Sequence, residues 1–519
     1  VHQPLDVRLV PAAVTSWTVT AAGTIWPIGR TAAGCCAVLA AAAAALWWRC
    51  STESRRGGAL AALGAGLTAV GVVGAGYGLA IAMRTEAVAR HPITAAFGSR
   101  MPVTVAPSES PLPLGRGRLL FRATLLRLGE DEMSGRVTVF ARDSDFADDV
   151  DALMVGRPVR FSARIARPTR HDLTVAVLTA TGRPQLGRAG WMQRAAHAVR
   201  SKFTAAVREV LPTDQAAMLP ALVLGDTAQL GRATRDEFRV AGMTHLMAVS
   251  GANVTIVCAA MLLSATLIGP RAAAVLAGLA LVAFVVVVQP SASVLRAAVM
   301  GAITLTAMWS SRRRQAIPAL STTVLVLLAV APQLAVDVGF ALSVVATAAL
   351  VVLAPRWSRR LVGRGWPKPL ADAVAVAGAA QLVTAPLVAA ISGRFSLVAV
   401  AANLAAAPVI AAITVLGSAA AALAVPWPAG AQLLIRFTGP EVWWVLRVAH
   451  WAAKVPGASV PVPSGAAGLV LVAGGTVLIV VLWRWRRFRL TLAWGAAAVV
   501  GCQLAWSVAA IGSSAVRPP

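Results

Sequence analysis

Apolar residues in this chain fall into long runs. The first two cover 31–49 and 58–82, and others cover 245–268, 271–289, 292–309, 316–335, 337–354, 371–391, 395–423, 465–483 and 490–511. About 20 such residues carry an α-helix across the hydrocarbon core of a bilayer. Each run therefore predicts a membrane helix. Pro408 makes 395–423 a candidate broken helix or re-entrant hairpin. Residues 431–455 are aromatic and half polar, so they predict a segment that crosses the membrane or lies at its interface.

Between residues 84 and 188 the pattern changes to short alternating runs: MPVTVA, GRLLFRATLLRLG, SGRVTVFAR, GRPVRFSARIARP and DLTVAVLTATG. Turn-rich pieces such as PSESPLPLG and LGEDEMSG separate them. Five short strands of this kind predict a small closed barrel of the OB (oligonucleotide/oligosaccharide-binding) type. Phe121, Phe140 and Phe161 sit on those strands, and barrel core is the reading preferred over base stacking. WMQRAAHAVRSKFTAAVREVL, residues 191–211, has helical spacing and carries Arg194, Arg200, Lys202 and Arg208. It predicts an amphipathic helix on the bilayer surface, in preference to a nucleic-acid contact.

Composition fits this pattern. Of 519 residues, 58% are hydrophobic and 13% charged; mean hydropathy is +0.72. The fold class is a polytopic α-helical membrane protein with an inserted, extracytoplasmic OB-like β-barrel. Five pieces are expected: 1–83 with two membrane helices, 84–188 the barrel, 189–244 interfacial helices, 245–425 a transmembrane core, and 426–519 an interfacial segment with further membrane helices. No cleavable signal peptide is evident at the start.

Net charge is +26, from 47 basic and 21 acidic residues. Basic clusters at RCSTESRR, 311–315, 356–368 and 484–489 are expected on the cytoplasmic side, which puts the barrel outside. The barrel segment holds 16 Arg and 11 acidic residues, so attraction to a polyanion or to anionic lipid is a second use of the excess. The five cysteines contain no C-x-x-C, and the six histidines are scattered singly. No metal site, cofactor or disulfide framework is expected. No G-x-x-x-x-G-K-[ST] is present, so any energy for transport comes from a partner or the membrane potential, and no enzymatic activity is expected.

Polar residues interrupt the apolar runs at ordered places. LVLGDTAQLGRATRDEFRVAGMTHLMAVSGANVTIV (222–257) contains Leu224-Gly225-Asp226, Phe238, Gly242, His245-Leu246, Ala248-Val249-Ser250-Gly251 and Asn253. A second block has Ser293, Arg296 and Ala297, followed by Asp337, Gly339, Phe340, Leu342 and Ser343. A third has Gln381, Pro386, Phe395-Ser396 and Asn403. In order and spacing these blocks resemble the ComEC family of competence proteins, the inner-membrane channel for DNA uptake in natural transformation. The two N-terminal helices and OB-like barrel also match that family's layout.

The resemblance implies a channel that carries single-stranded DNA into the cytoplasm. Its implied partners are single-stranded DNA, membrane lipids, a cytoplasmic helicase, a DNA receptor protein and a separate nuclease. Longer family members add a metallo-β-lactamase-like domain with H-x-H-x-D-H. That motif is absent from this sequence, and Asn253 stands where many members have His, which weighs against an imidazole role there. A small-solute or lipid transporter is the alternative reading of the same helical core; the ordered motifs and the barrel count against it.

Polar groups at membrane depth persist where they face a wet cavity or one another. On that ground the candidate pathway residues are His245, Ser250, Gly251, Asn253, Arg296, Asp337, Gln381 and Asn403. Asp226 is an acidic motif residue. With Asp236 and Glu237 it is expected to pair with neighbouring Arg232, Arg235 and Arg239 rather than hold a cation.

Overall fold

The computed structural model describes residues 6–52, 58–109, 111–115, 117–146, 153–264, 269–289, 292–309 and 316–482. The basic clusters at 311–315 and 484–489 and the run at 490–511 lie outside them. Contacts divide the chain into two units: Val1–Ala380 with Ser396–Ala458, and Gln381–Phe395 with Ser459–Pro519.

Three helices open the larger unit: α1 (Val10–Ile25), α2 (Gly29–Thr52) and α3 (Gly58–Ala89). α1 was not expected. Its Ser and Thr residues dilute the apolar signal, but Ser16, Thr20 and Thr24 are buried and return their hydroxyls to carbonyls of their own helix.

Six strands follow: β1 (Arg100–Pro107), β2 (Leu112–Gly115), β3 (Arg118–Leu128), β4 (Asp131–Arg142), β5 (Val159–Ala166) and β6 (Thr174–Leu186), with the one-turn α4 (Asp143–Phe146) after β4. Their order is β1-β5-β6-β4-β3-β2, and β1 also pairs with β3, which closes a five-stranded barrel. All pairings are antiparallel except β4 with β6. β2 lies within PSESPLPLG, a stretch read from sequence as turns alone. Alternation works as the period of a strand requires. In β5, Val159, Phe161, Ala163 and Ile165 point in while Arg160 and Arg164 point out. Phe121 and Phe161 are core residues, and Phe140 is half-buried beneath the Arg118 guanidinium.

The rest of the larger unit is helical. It comprises α5 (Trp191–Val210), α6 (Thr213–Leu224), α7 (Arg232–Val240), α8 (Gly251–Ser264), α9 (Pro270–Val288), α10 (Ala292–Trp309), α11 (Ala316–Val330), α12 (Val338–Val352), α13 (Ala354–Val362), the first part of α14 (Lys368–Ser392), α15 (Ala399–Leu423) and α16 (Pro428–Lys454). Six helical stretches among the described residues are long and apolar enough to span a membrane. α15 is one continuous helix, so neither a break nor a hairpin forms at Pro408. Near it, the Trp444 indole N–H donates to the Ala405 carbonyl at 2.9 Å, in the turn that the proline ring loosens.

α5 departs from expectation. Its apolar face, with Phe203, Ala206 and Val207 buried, joins a core built with α6, α9, α15 and α16 and is covered by protein. α16 is amphipathic, and its Arg447 lies over the rings of both Trp443 and Trp451.

In the smaller unit, the short strands β7 (Arg394–Ser396) and β8 (Ser459–Pro461) pair. Ala385 and Ala389 of α14 meet Val472 of α17 (Ala466–Leu482), with Phe395 and Val462 against them.

Candidate functional site

Three junctions in the larger unit gather the motif residues. The first is at Gly242, between α7 and a 3-10 turn at Thr244–Met247. Gly242 has φ 69°, which favours glycine, and a Cβ there would fall 2.5 Å from the Ala399 Cβ. α15 closes over it. Ser396 donates its hydroxyl to the Val240 carbonyl at 2.7 Å, and Asn403 Nδ2 donates to Gly242 at 3.3 Å and to Ala399 at 2.8 Å. The first and third sequence blocks thus lock together at a glycine.

The second junction is the end of α6. Helix ends leave carbonyls without partners, and each needs one when buried. Asn253, buried in α8, donates Nδ2 to the Leu222 carbonyl at 3.1 Å, and its Oδ1 accepts from the Ser250 hydroxyl at 3.2 Å. Arg200 reaches up from α5 and donates Nη1 to Leu224 at 3.3 Å and to Val287, near the end of α9, at 3.2 Å. Its Nη2 lies 3.5 Å from Asp226 Oδ2. Burial holds the Arg200 guanidinium below the ordinary arginine pKa, and Asp226 opposes that shift. Arg200 therefore caps the negative ends of two helices. From sequence it was one of four basic residues of a helix expected on the bilayer surface; its position one turn before Phe203 on the apolar stripe was the available signal.

The third junction joins α8, α10 and α12. Arg296 donates Nε to the Ser343 hydroxyl at 2.7 Å and Nη1 to Met300 Sδ at 3.2 Å, and Ser293 and Ser343 hydroxyls lie 3.2 Å apart. A Cβ on Gly251 would stand 2.6 Å from Arg296 Nη2, so only glycine admits the guanidinium against the first turn of α8. Asp337 caps α12 by accepting from Phe340 N at 2.7 Å. It also lies within electrostatic range of the barrel's Arg136. Burial lowers the Arg136 pKa, and Asp172 and, more weakly, Asp337 act against that. Arg84, near the end of α3, donates to the carbonyls of Ala329 and Val330 at the end of α11, at 3.1 and 3.4 Å.

His245 lies on the 3-10 turn. It is an exposed residue there. Gln381 is half-buried on α14, in the smaller unit. Acidic residues of the first block pair as follows: Asp236 with Arg239 at 2.5 Å, and Glu237 with His450 Nδ1 at 2.8 Å, a partner on α16 that sequence did not suggest. Among the described residues no group of His, Cys, Asp and Glu is placed to hold a metal ion.

Long apolar helices carrying a closed barrel, with polar side chains meeting at the helix junctions, define a multi-pass membrane protein. The model of the competence-protein family matches residues 222–487, half of the chain, and the protein belongs to that family, with a role in competence and DNA uptake. No curated protein and no solved structure matches the chain.

Proposed function

We propose that the protein is a channel in the cytoplasmic membrane that passes single-stranded DNA inward during natural transformation. The observation that carries this reading is the set of polar side chains at the helix junctions, above all Arg296, a buried arginine that has no carboxylate partner among the described residues. A polyanion needs such a wall of donors, held open by small residues.

His245, Ser250, Gly251 and Arg296 are assigned to the wall. Asn253, Asn403, Asp337 and Asp226 hold the junctions around it, and Gln381 is kept as a pathway residue of the smaller unit. The barrel's strand order, with its third and fifth barrel strands parallel, supports an OB-type fold. Arg100 lies opposite Arg164 and Arg118 opposite Arg142 on its surface. Like charges in direct register are unfavourable unless an anion lies over them, so both pairs suit a phosphate backbone. With the barrel outside and the cluster at 356–368 inside, α12, which ends just before that cluster, is read as starting on the external side. Helicase and receptor functions are assigned to separate polypeptides.

Deleting the gene and following labelled DNA into the cytoplasm tests the proposal. Loss of cytoplasmic label with surface binding retained is the expected result. Normal cytoplasmic uptake would remove the channel role.

A further inference from the structure

Arg296 is 6% exposed. Burying a cation without an anion costs several kcal/mol, so a buried arginine ordinarily has a carboxylate against it. Here its contacts are a neutral hydroxyl at Nε and a thioether at Nη1, and Nη2 has no acceptor among the described residues. Nη2 instead rests on Gly251, where α8 begins.

The first turn of a 14-residue helix carries unpaired N–H groups and the positive end of its dipole. Two positive features pressed together repel unless something negative is shared between them. Ser250 and Ser343 add hydroxyls at the same junction. Ser343 is the sixth residue of α12, about 9 Å from the start of that helix.

We infer that the guanidinium of Arg296 and the first turn of α8 at Gly251 form a binding site for one phosphodiester group of a single strand of DNA. This rests on the channel reading and adds to it a specific station. Glycine at 251 is then a requirement of the site, since any side chain there displaces the guanidinium from the helix end. Contact is through the backbone, so the site is indifferent to base sequence. A single phosphate held by one fork and one helix end is bound weakly enough to be handed on.

The test uses the full chain in nanodiscs of zwitterionic lipid. An end-labelled single-stranded oligonucleotide and a neutral-backbone oligomer of the same bases are titrated over a range of salt. For the wild type, the phosphate oligomer should bind and the neutral one should bind at least tenfold more weakly at low salt. Arg296→Gln should weaken the phosphate oligomer roughly tenfold at low salt and reduce the slope of log K against log salt by about 0.7, the value for one phosphate of a single strand. Arg296→Lys should keep the slope and lose only part of the affinity, because the charge stays and the fork is lost. Equal binding of the two oligomers by the wild type would overturn the site without recourse to any variant. So would an unchanged slope in a folded Arg296→Gln protein. An Arg296→Gln effect that disappears when anionic lipid is added would reassign the pocket to lipid phosphate. Cellular uptake separates this from the channel reading: normal uptake by Arg296→Gln with an unchanged slope removes the site and leaves the channel, whereas uptake that does not need the gene removes both.

Discussion

Replacing Arg200 by Met leaves a side chain of similar length with nothing to donate. The Leu224 and Val287 carbonyls then lose their guanidinium donor, and Asp226 loses its neighbour. A hydrogen bond from a charged donor contributes ~1.5–3 kcal/mol. At 3.3 and 3.2 Å these two belong at the lower end, about 1.5 kcal/mol each. The contact with Asp226 is longer and that carboxylate is partly exposed, so it adds no more than ~0.5–1 kcal/mol. The two carbonyl bonds alone account for about 3 kcal/mol, or roughly two decades in the local opening constant, and Asp226 adds its smaller share to that. Amide hydrogen exchange on the protein in nanodiscs reads this directly. Peptides covering 221–228 and 285–289 should exchange about a hundredfold faster in Arg200→Met, while barrel peptides stay as they were. Asp226→Asn, which spares both carbonyl bonds, should change exchange by no more than about fivefold. If Arg200→Met leaves both peptides protected to within about threefold, Arg200 does not cap these helices and the reasoning from orphan carbonyls is wrong here.

Gly242→Ala forces a positive φ on alanine and a Cβ into Ala399; the cost is expected to exceed ~2 kcal/mol, read as loss of folded protein by size-exclusion in detergent. Asn253→Leu leaves the Leu222 carbonyl and the Ser250 hydroxyl without Asn253; a loss of ~1–3 kcal/mol should appear as a lower melting temperature. In cells free of native cysteines, Ser134→Cys should react with an impermeant thiol reagent and Arg364→Cys only after lysis; the reverse pattern would invert the topology. In the full chain, charge reversal at Arg100 and Arg164 together should weaken low-salt binding of single-stranded DNA about tenfold or more; unchanged binding would leave the barrel a structural module.

The membrane character, the strands and the partners in the motif were legible for different reasons. Helices such as α9 and α10 came within a residue or two because hydrocarbon imposes a minimum length on an apolar run. β5 was legible because alternation with Arg on one face has one structural meaning. α1 was missed because its hydroxyls look polar in sequence yet are satisfied within the helix. α5 was placed on a membrane surface because an amphipathic stripe reports that a face is covered and does not say by what. The same limit applied to polar motif residues. Asn253 and Arg296 look alike in sequence, as polar groups in apolar runs. Only geometry separates an amide whose two ends meet protein partners from a guanidinium whose charge has none.

The ties that hold the first three helices join residues far apart in the chain. Trp17 donates to the Ala335 carbonyl across 318 residues, and Tyr77 donates to Leu325 across 248. At a synthesis rate of about 5–20 residues per second, Trp17 waits roughly 15–60 seconds for its acceptor to leave the ribosome. Until then α1 and α3 lack these two acceptors. A chain stalled before residue 325 would lack both of them, so neither tie could form until α11 and the turn after it had been made.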